Sequence, residues 1–344
     1  MMALSNNNED ENTLLPLVSI LCLAYNQEKY IRQALESLLM QRTSFSFEII
    51  VHDDASTDST KEIIEEYALN FPHIIKPIFQ KENKYSVYGI SFQYEYVYTA
   101  AKGKYIAMCA GDDFWIDPLK LQKQVDFLEE HSDYGLVHTR STIFDESLNQ
   151  FKSIQGFEVK DFECLLNENT ISALTVCLRR SLLNQYLEVV KPQDQPKWTA
   201  EDFPTWLWFT QHSKIKYIKD ITSVYRSRKN SISHVEDIYK RLLFSEGIYD
   251  IVDYYLSTYP KVKNEKKIRA RYFSNMINMY FLTRRCDGVR KSVIIFYEAN
   301  DWINLIWIMI TFPFSFSRFM IKASYKVRSL IFDLFNIYPI RKQL

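Results

Sequence analysis

Two pairs of adjacent aspartates, each closing an apolar run, constrain this chain more than any other feature. The first run is Glu48-Ile49-Ile50-Val51-His52-Asp53-Asp54, and the second is Tyr105-Ile106-Ala107-Met108-Cys109-Ala110-Gly111-Asp112-Asp113. A short β-rich run that ends in carboxylates places them at the carboxyl edge of a buried strand, where ligands bind in open α/β sheets. Neighbouring carboxylates repel each other and are costly to desolvate, so a pair at such an edge requires a cation or hydrogen-bond donors. Two such pairs, on strands separated by helical pattern, point to a site for a nucleotide and a metal ion.

The pattern along the chain supplies the frame for those pairs. Residues 17–23 read as a buried strand, Tyr25-Asn26 as a turn, and Ile31, Ala34, Leu35, Leu38 and Leu39 as one helical face. Strands follow at 47–51, 74–79, 105–109, 134–138 and 173–178, with helices starting near Ser59 and covering 93–101 and 119–128. Ser59 with Glu62 spells a capping box, and Gly103 stops the helix before the fourth strand. The alternation predicts a mainly parallel sheet covered on both faces. A polar loop at 192–196 leads into Trp198-Thr199-Ala200-Glu201-Asp202 and an aromatic helix, and beyond Val235 the pattern is helical and rich in Tyr, Phe and Lys. The expected organisation is a lead-in over 1–14, an α/β domain over 15–235 and a helical, basic region over 236–344.

Composition narrows the partners. Lys plus Arg and Asp plus Glu number 42 each, so net charge gives no footprint for nucleic acid. From Lys261 onward, however, sixteen Lys/Arg face five Asp/Glu, a surplus that suits an anionic membrane surface or an acidic partner. Five irregularly spaced Cys indicate a reducing, cytoplasmic setting, with Cys22, Cys109 and Cys177 in apolar runs as core thiols. The first fourteen residues contain no secretion-signal core. The late apolar stretch 302–316 is broken by Asn304 and Pro313 and falls short of the ~20 residues that a membrane span needs. Seven Gly, with no Gly-rich phosphate loop, exclude a dinucleotide fold.

Taken in order, Val18-Ser19-Ile20, Ala24-Tyr25-Asn26, Asp53-Asp54-Ala55-Ser56-Thr57-Asp58, Gly103-Lys104-Tyr105-Ile106, Gly111-Asp112-Asp113-Phe114-Trp115 and Glu201-Asp202 resemble the family 2 glycosyltransferases over roughly residues 16–234. The resemblance implies a GT-A fold and an inverting, nucleotide-sugar-dependent activity, with Mn²⁺ or Mg²⁺ as cofactor. It implies that Tyr25 lies against the base, that Asp54 accepts from the base imide N–H of UDP, that Asp112 turns to ribose and that Asp113 holds the metal. It makes Asp202 the catalytic base. On residue chemistry alone, Tyr25 either stacks on a base or packs under the sheet edge, and the aspartates either bind ligand or cap helices. Ala110 stands where the commoner family pattern carries its first Asp.

The same resemblance makes Arg226, Arg228 and His234 a loop for the diphosphate or the metal, against a solvated basic loop. Trp198, Glu201 and Trp206 are the expected acceptor contacts, since tryptophan rings stack on sugar faces, against a reading as an acid-rich helix start with core tryptophans. The expected partners are a nucleotide-sugar donor and a saccharide or lipid-linked acceptor. The C-terminal region lies either in the membrane interface, through 302–316 with Arg318, Lys322, Lys326 and Arg328, or packed as helices on protein. Two rival functions are a nucleotidyltransferase, which would need a Gly-rich basic loop that Ala24-Tyr25-Asn26-Gln27-Glu28 lacks, and a degenerate domain that binds without turnover.

Overall fold

A computed structural model describes residues 15–228, 237–301 and 304–305. They fall into two compact units: the first holds residues 15–162, 169–196 and 201–227, the second residues 163–168, 197–200 and the described residues from Arg228 on.

The first unit is an α/β sheet. Its elements in order are β1 (Val18–Ala24), α1 (Ile31–Leu39), β2 (Phe47–Asp53), α2 (Thr60–Asn70), β3 (Ile75–Phe79), α3 (Lys84–Tyr88), α4 (Phe92–Tyr96), β4 (Tyr105–Met108), β5 (Phe114–Trp115), α5 (Lys120–Glu130), β6 (Tyr134–Asp145) and β7 (Gln150–Gln155). After α6 (Phe162–Asn167), which but for Phe162 belongs to the second unit, come β8 (Val176–Arg179), α7 (Arg180–Val190), α8 (Asp202–His212) and β9 (Lys214–Ser227). The sheet runs β3-β2-β1-β4-β8-β6-β9-β5, with β7 paired to β6. Strands β3, β2, β1 and β4 are parallel, whereas β8 is antiparallel to both β4 and β6, and β5 to β9. The sheet is therefore mixed, not mainly parallel. The parallel half is the one whose strands are apolar on both faces; Val18, Ile20, Cys22, Ile49, Val51, Tyr105 and Ala107 are buried between helices that contribute Ile31, Leu35, Leu38, Leu121, Val125 and Leu128.

Three local expectations change. The capping box at Ser59 does not form; Asp58 instead accepts from the Thr60 N–H at 3.0 Å and from the Thr60 hydroxyl at 2.5 Å. The helix expected over 93–101 breaks into α4 and a 3₁₀ turn at Tyr98–Ala100, because Tyr94, Tyr96, Val97, Tyr98 and Thr99 are aromatic or β-branched and favour long helices poorly. The strand at 134–138 continues to Asp145.

The second unit contains α9 (Ile238–Thr258), α10 (Glu265–Leu282) and α11 (Cys286–Glu298). Asp237 caps α9 through the Lys240 N–H at 2.9 Å. Its core gathers Leu242, Tyr249, Phe273, Met276, Ile277, Tyr280, Val293 and Phe296. The short segments from earlier in the chain join it: the Tyr272 hydroxyl donates to the Leu166 carbonyl at 2.8 Å, and Thr199 Oγ1 to the Phe244 carbonyl at 2.9 Å. Among the described residues no helix is long and apolar enough to cross a membrane. The expected boundary at 235, His234, the cations from Arg318 on and all of 302–316 except Asn304 and Leu305 lie outside the described residues.

Candidate active site

Strand β1 lies between β2 and β4 and is parallel to both, so the strand order turns there and opens a crevice at the carboxyl ends. Register brings Ala24 opposite Asp53 and Leu21 opposite Met108. Tyr25, Asp54 and the turn after β4 consequently converge on one edge.

The loops after β1 and β2 are laced together. Asn26, held in the left-handed region at φ 51°, donates its N–H to Ser56 Oγ at 2.9 Å, and its side-chain carbonyl accepts from the Thr57 N–H at 2.8 Å. The Glu28 N–H donates to Asp58 Oδ2 at 3.1 Å, and Glu28 Oε2 accepts from the Ser59 N–H at 3.1 Å. Asp53 is buried and bonded to both the N–H and the hydroxyl of Ser56, so it orients this turn. Asp54, also buried, accepts from the N–H groups of Lys84 and Tyr85 at 2.7 and 2.9 Å, and so fixes the first turn of α3. Each carboxylate oxygen has a second lone pair beyond those bonds. Tyr25 is 45% exposed and does not pack under the sheet edge.

The second aspartate pair sits on a turn that needs Gly111: a Cβ there would lie 2.4 Å from Gln27 Oε1 and 2.9 Å from Ile31 Cδ1. The Gly111 N–H bonds the Leu23 carbonyl at 2.8 Å, fastening the turn to the end of β1. Asp113 is buried and accepts from the Arg226 N–H at 2.8 Å, while Arg226 Nε donates to the Asp112 carbonyl at 2.9 Å. The Arg226 guanidinium also bonds Gln33 Oε1 at 2.6 Å and lies over the rings of Tyr30, Phe114 and Phe144 at 4.9, 5.4 and 5.6 Å. It is a buried brace beside the aspartates, with Nε and Nη2 bonded to protein.

The third pair begins α8. Burial raises the Glu201 carboxyl, and burial together with the Glu201 charge raises Asp202 to about 7. The Phe203 N–H donates to Asp202 Oδ1 at 2.6 Å and Gln93 bonds the Glu201 side chain. Tyrosines crowd this pair: burial pushes the hydroxyls of Tyr94 and Tyr98 up, with the Glu201 charge contributing, and the Tyr94 and Tyr98 rings stack at 5.6 Å. Tyr85 links the first and third pairs, since its N–H bonds Asp54 and its hydroxyl is raised by burial and by Glu201.

Residues 19–187 match the family described as Glycosyl transferase family 2. That segment belongs to the family. It is 34% identical over 229 residues to an uncharacterized protein of Mycobacterium tuberculosis, covering 63% of this chain and 60% of that protein, so it spans less than two thirds of that relative's length. It is 29% identical over 225 residues to TuaG of Bacillus subtilis, named as a teichuronic acid biosynthesis glycosyltransferase, covering 63% of this chain and 82% of that one. Residues 1–349 of Staphylococcus aureus TarS superpose with a TM-score of 0.56 at 20% identity, over 82% of this chain and 80% of that one. The fold is thus GT-A-like, a mixed α/β sheet with flanking helices and a helical C-terminal region.

For a family 2 member, several expected contacts change on this geometry. Arg226 braces the aspartates, with its Nε and Nη2 already bonded to the Asp112 carbonyl and to Gln33. For Arg228 the geometry gives only its place, partly buried in the second unit. Trp206 is fully buried, and Trp198 is buried in the second unit against Tyr254, ring centroids 5.3 Å apart, so both rings are core and neither offers a face to a sugar. No cluster of three or more His, Cys, Asp or Glu is poised for a metal among the described residues. The oxygen-only donor set of Asp112 and Asp113 nevertheless fits a hard divalent cation of the kind that takes one or two carboxylates and completes its shell with substrate phosphate and water. The residues missed from sequence are Gln93, Tyr94, Tyr98 and Tyr85; the i, i+4 spacing of Tyr94 and Tyr98 was the available signal.

Proposed function

We propose that this chain transfers a sugar from a uridine diphosphate donor to a hydroxyl of a saccharide or lipid-linked saccharide, with inversion at the anomeric carbon. The observation that carries this reading is the Glu201–Asp202 pair, raised in pKa by burial beside Tyr85, Tyr94 and Tyr98, with the Tyr85 N–H bonded to Asp54. Tyr25, 45% exposed, offers an open ring to the base, Asp54 has remaining lone pairs for the imide N–H, and the role proposed for Asp112 is to bond the ribose. Asp113, with Asp112 beside it, would hold Mn²⁺ or Mg²⁺, which supplies countercharge for the diphosphate leaving group. Asp202 takes the acceptor proton as the new bond forms, and a carboxyl near 7 is half ionised at neutral pH, where a base works best. Glu201 keeps the second charge close and orients the acceptor. TarS in complex with UDP-GlcNAc has the same fold, which supports a UDP-sugar donor. The basic surplus after Lys261 supports attachment at the cytoplasmic face of a membrane, and the TuaG likeness supports a place in surface polysaccharide assembly.

Calorimetry with UDP and Mn²⁺, paired with single-turnover transfer, tests the roles. Asp202→Asn should hold UDP affinity within a few-fold and lower turnover by roughly 10²–10⁴, the range general-base catalysis contributes. Asp113→Asn should instead lose the metal-dependent part of UDP binding. Wild-type binding without turnover on any acceptor would favour the degenerate reading that Ala110 raises.

A further inference from the structure

The β6–β7 hairpin carries an apolar strip that the reaction above does not use. Asp145 pairs with Gln150, Phe144 with Phe151, Thr142 with Ile154 and Ser141 with Gln155, with the register broken between Thr142 and Phe144. Two steps along β6 therefore match three along β7, so β7 holds an extra residue. Such a bulge re-aims side chains, and here it turns Phe151 and Ile154 to the same face, which strict alternation would forbid. Phe151 is 62% exposed, Ile154 47%, and Leu148 at the turn 58%.

The strip reaches the packing beside the second aspartate pair. The Phe151 and Phe144 rings meet edge to face at 5.2 Å, Arg226 lies over Phe144, and Arg226 is the residue that braces Asp112 and Asp113. Lys152 pairs with Asp145 and steadies the hairpin at that end. Among the described residues β7 pairs with β6 alone, so a row of backbone N–H and C=O groups runs beside the rings.

We propose that this strip is an outer acceptor subsite, where the C–H face of a saccharide ring lies on Phe151 and its hydroxyls bond the open backbone edge of β7. The inference rests on the glycosyltransferase reading of the site. A saccharide matches both halves of the surface, an apolar face and a polar rim. A hydrocarbon tail would leave the backbone groups beside it unsatisfied. Strand addition by a second copy needs a flat, regular edge, which the bulge twists away.

The full chain is applied, with and without UDP, to an array of chito-, malto- and manno-oligosaccharides, and bound saccharides are then titrated. Phe151→Ala is expected to weaken saccharide binding about tenfold, the scale of one aromatic contact, while Phe151→Trp keeps it and UDP affinity stays unchanged in both. Ile154→Ser, at a second exposed position, is expected to weaken it in the same sense. Equal saccharide binding by wild type and Phe151→Ala overturns the proposal, as does binding to no saccharide on the array. A wild-type dimer in sedimentation that Ile154→Ser converts to monomer overturns it in favour of a second copy. A wild type that binds saccharide but no UDP would sink the donor reading and leave the subsite standing.

Discussion

Raising a carboxyl from its ordinary value of 3.8 to about 7, as burial and Glu201 do for Asp202, has a cost in stability as well as a use in catalysis. The folded state keeps this proton to higher pH than the unfolded chain does. The unfolded chain therefore binds fewer protons through that window, and stability falls as pH climbs from near 4 to about 7. Asp202→Asn removes the titration. Melting curves from about pH 5 to about pH 8 should show wild type losing stability relative to Asp202→Asn, with the variant inactive yet more stable at the upper end. Parallel curves would mean that Asp202 is not the strained member of the pair. Single residues also mark where sequence reading stops. The aspartate pairs were legible because apolar runs announce strand ends. The orientation of Arg226 was not, because a cation beside Asp112 and Asp113 looks alike whether it faces ligand or the rings of Tyr30, Phe114 and Phe144. Trp198 and Trp206 misled for a related reason: amphipathic rings suit both sugar and core, and only packing decides.

Among the elements, the parallel strands β1, β2, β3 and β4 were readable because their continuous apolar runs leave little choice. Strand β9 escaped notice because its first half, with Lys214, Lys216, Lys219 and Asp220, meets solvent and carries charge, while its buried residues Thr222, Ser223 and Val224 are mostly small and polar. Strand β5 is two residues long, below the reach of any periodicity. The bulged β7 violates alternation outright. In the second unit α11 is the element with the clearest energetic consequence. Phe296 is fully buried among Phe273, Tyr280 and Val293, so Phe296→Ala should destabilise that unit by about 3–5 kcal/mol, the usual cost of emptying an aromatic core site. Urea titration followed by helical circular dichroism measures it, and a loss under 1 kcal/mol would show that α11 is dispensable to that core. The packing also means that a truncation after Arg290, which would keep only the first part of α11, exposes Tyr280 and Phe273 and leaves no intact helical unit.

At the scale of the whole molecule, the residues proposed for the nucleotide site and the helical core belong to different compact units. Saturating UDP at 100 times its dissociation constant should add about 2.7 kcal/mol to the unit that binds it. Hydrogen exchange should show the gain as slowed exchange around Tyr25, Asp54, Tyr85 and Asp112, all in the first unit. Protection centred on α9 and α10 instead would place the nucleotide elsewhere. The loops after β1 and β2 set a further condition for anyone redesigning donor choice. Asn26 and Glu28 trade hydrogen bonds reciprocally with Ser56, Thr57, Asp58 and Ser59, and the Gln27 N–H reaches Thr60 Oγ1 at 2.7 Å. Neither loop is a module. A chimera that grafts one of them from a relative orphans donors and acceptors in the other, whereas residues 24–28 and 54–60 exchanged together carry their partners with them. Recombination within this fold, by engineers or by evolution, has to treat two stretches distant in sequence as a single heritable block.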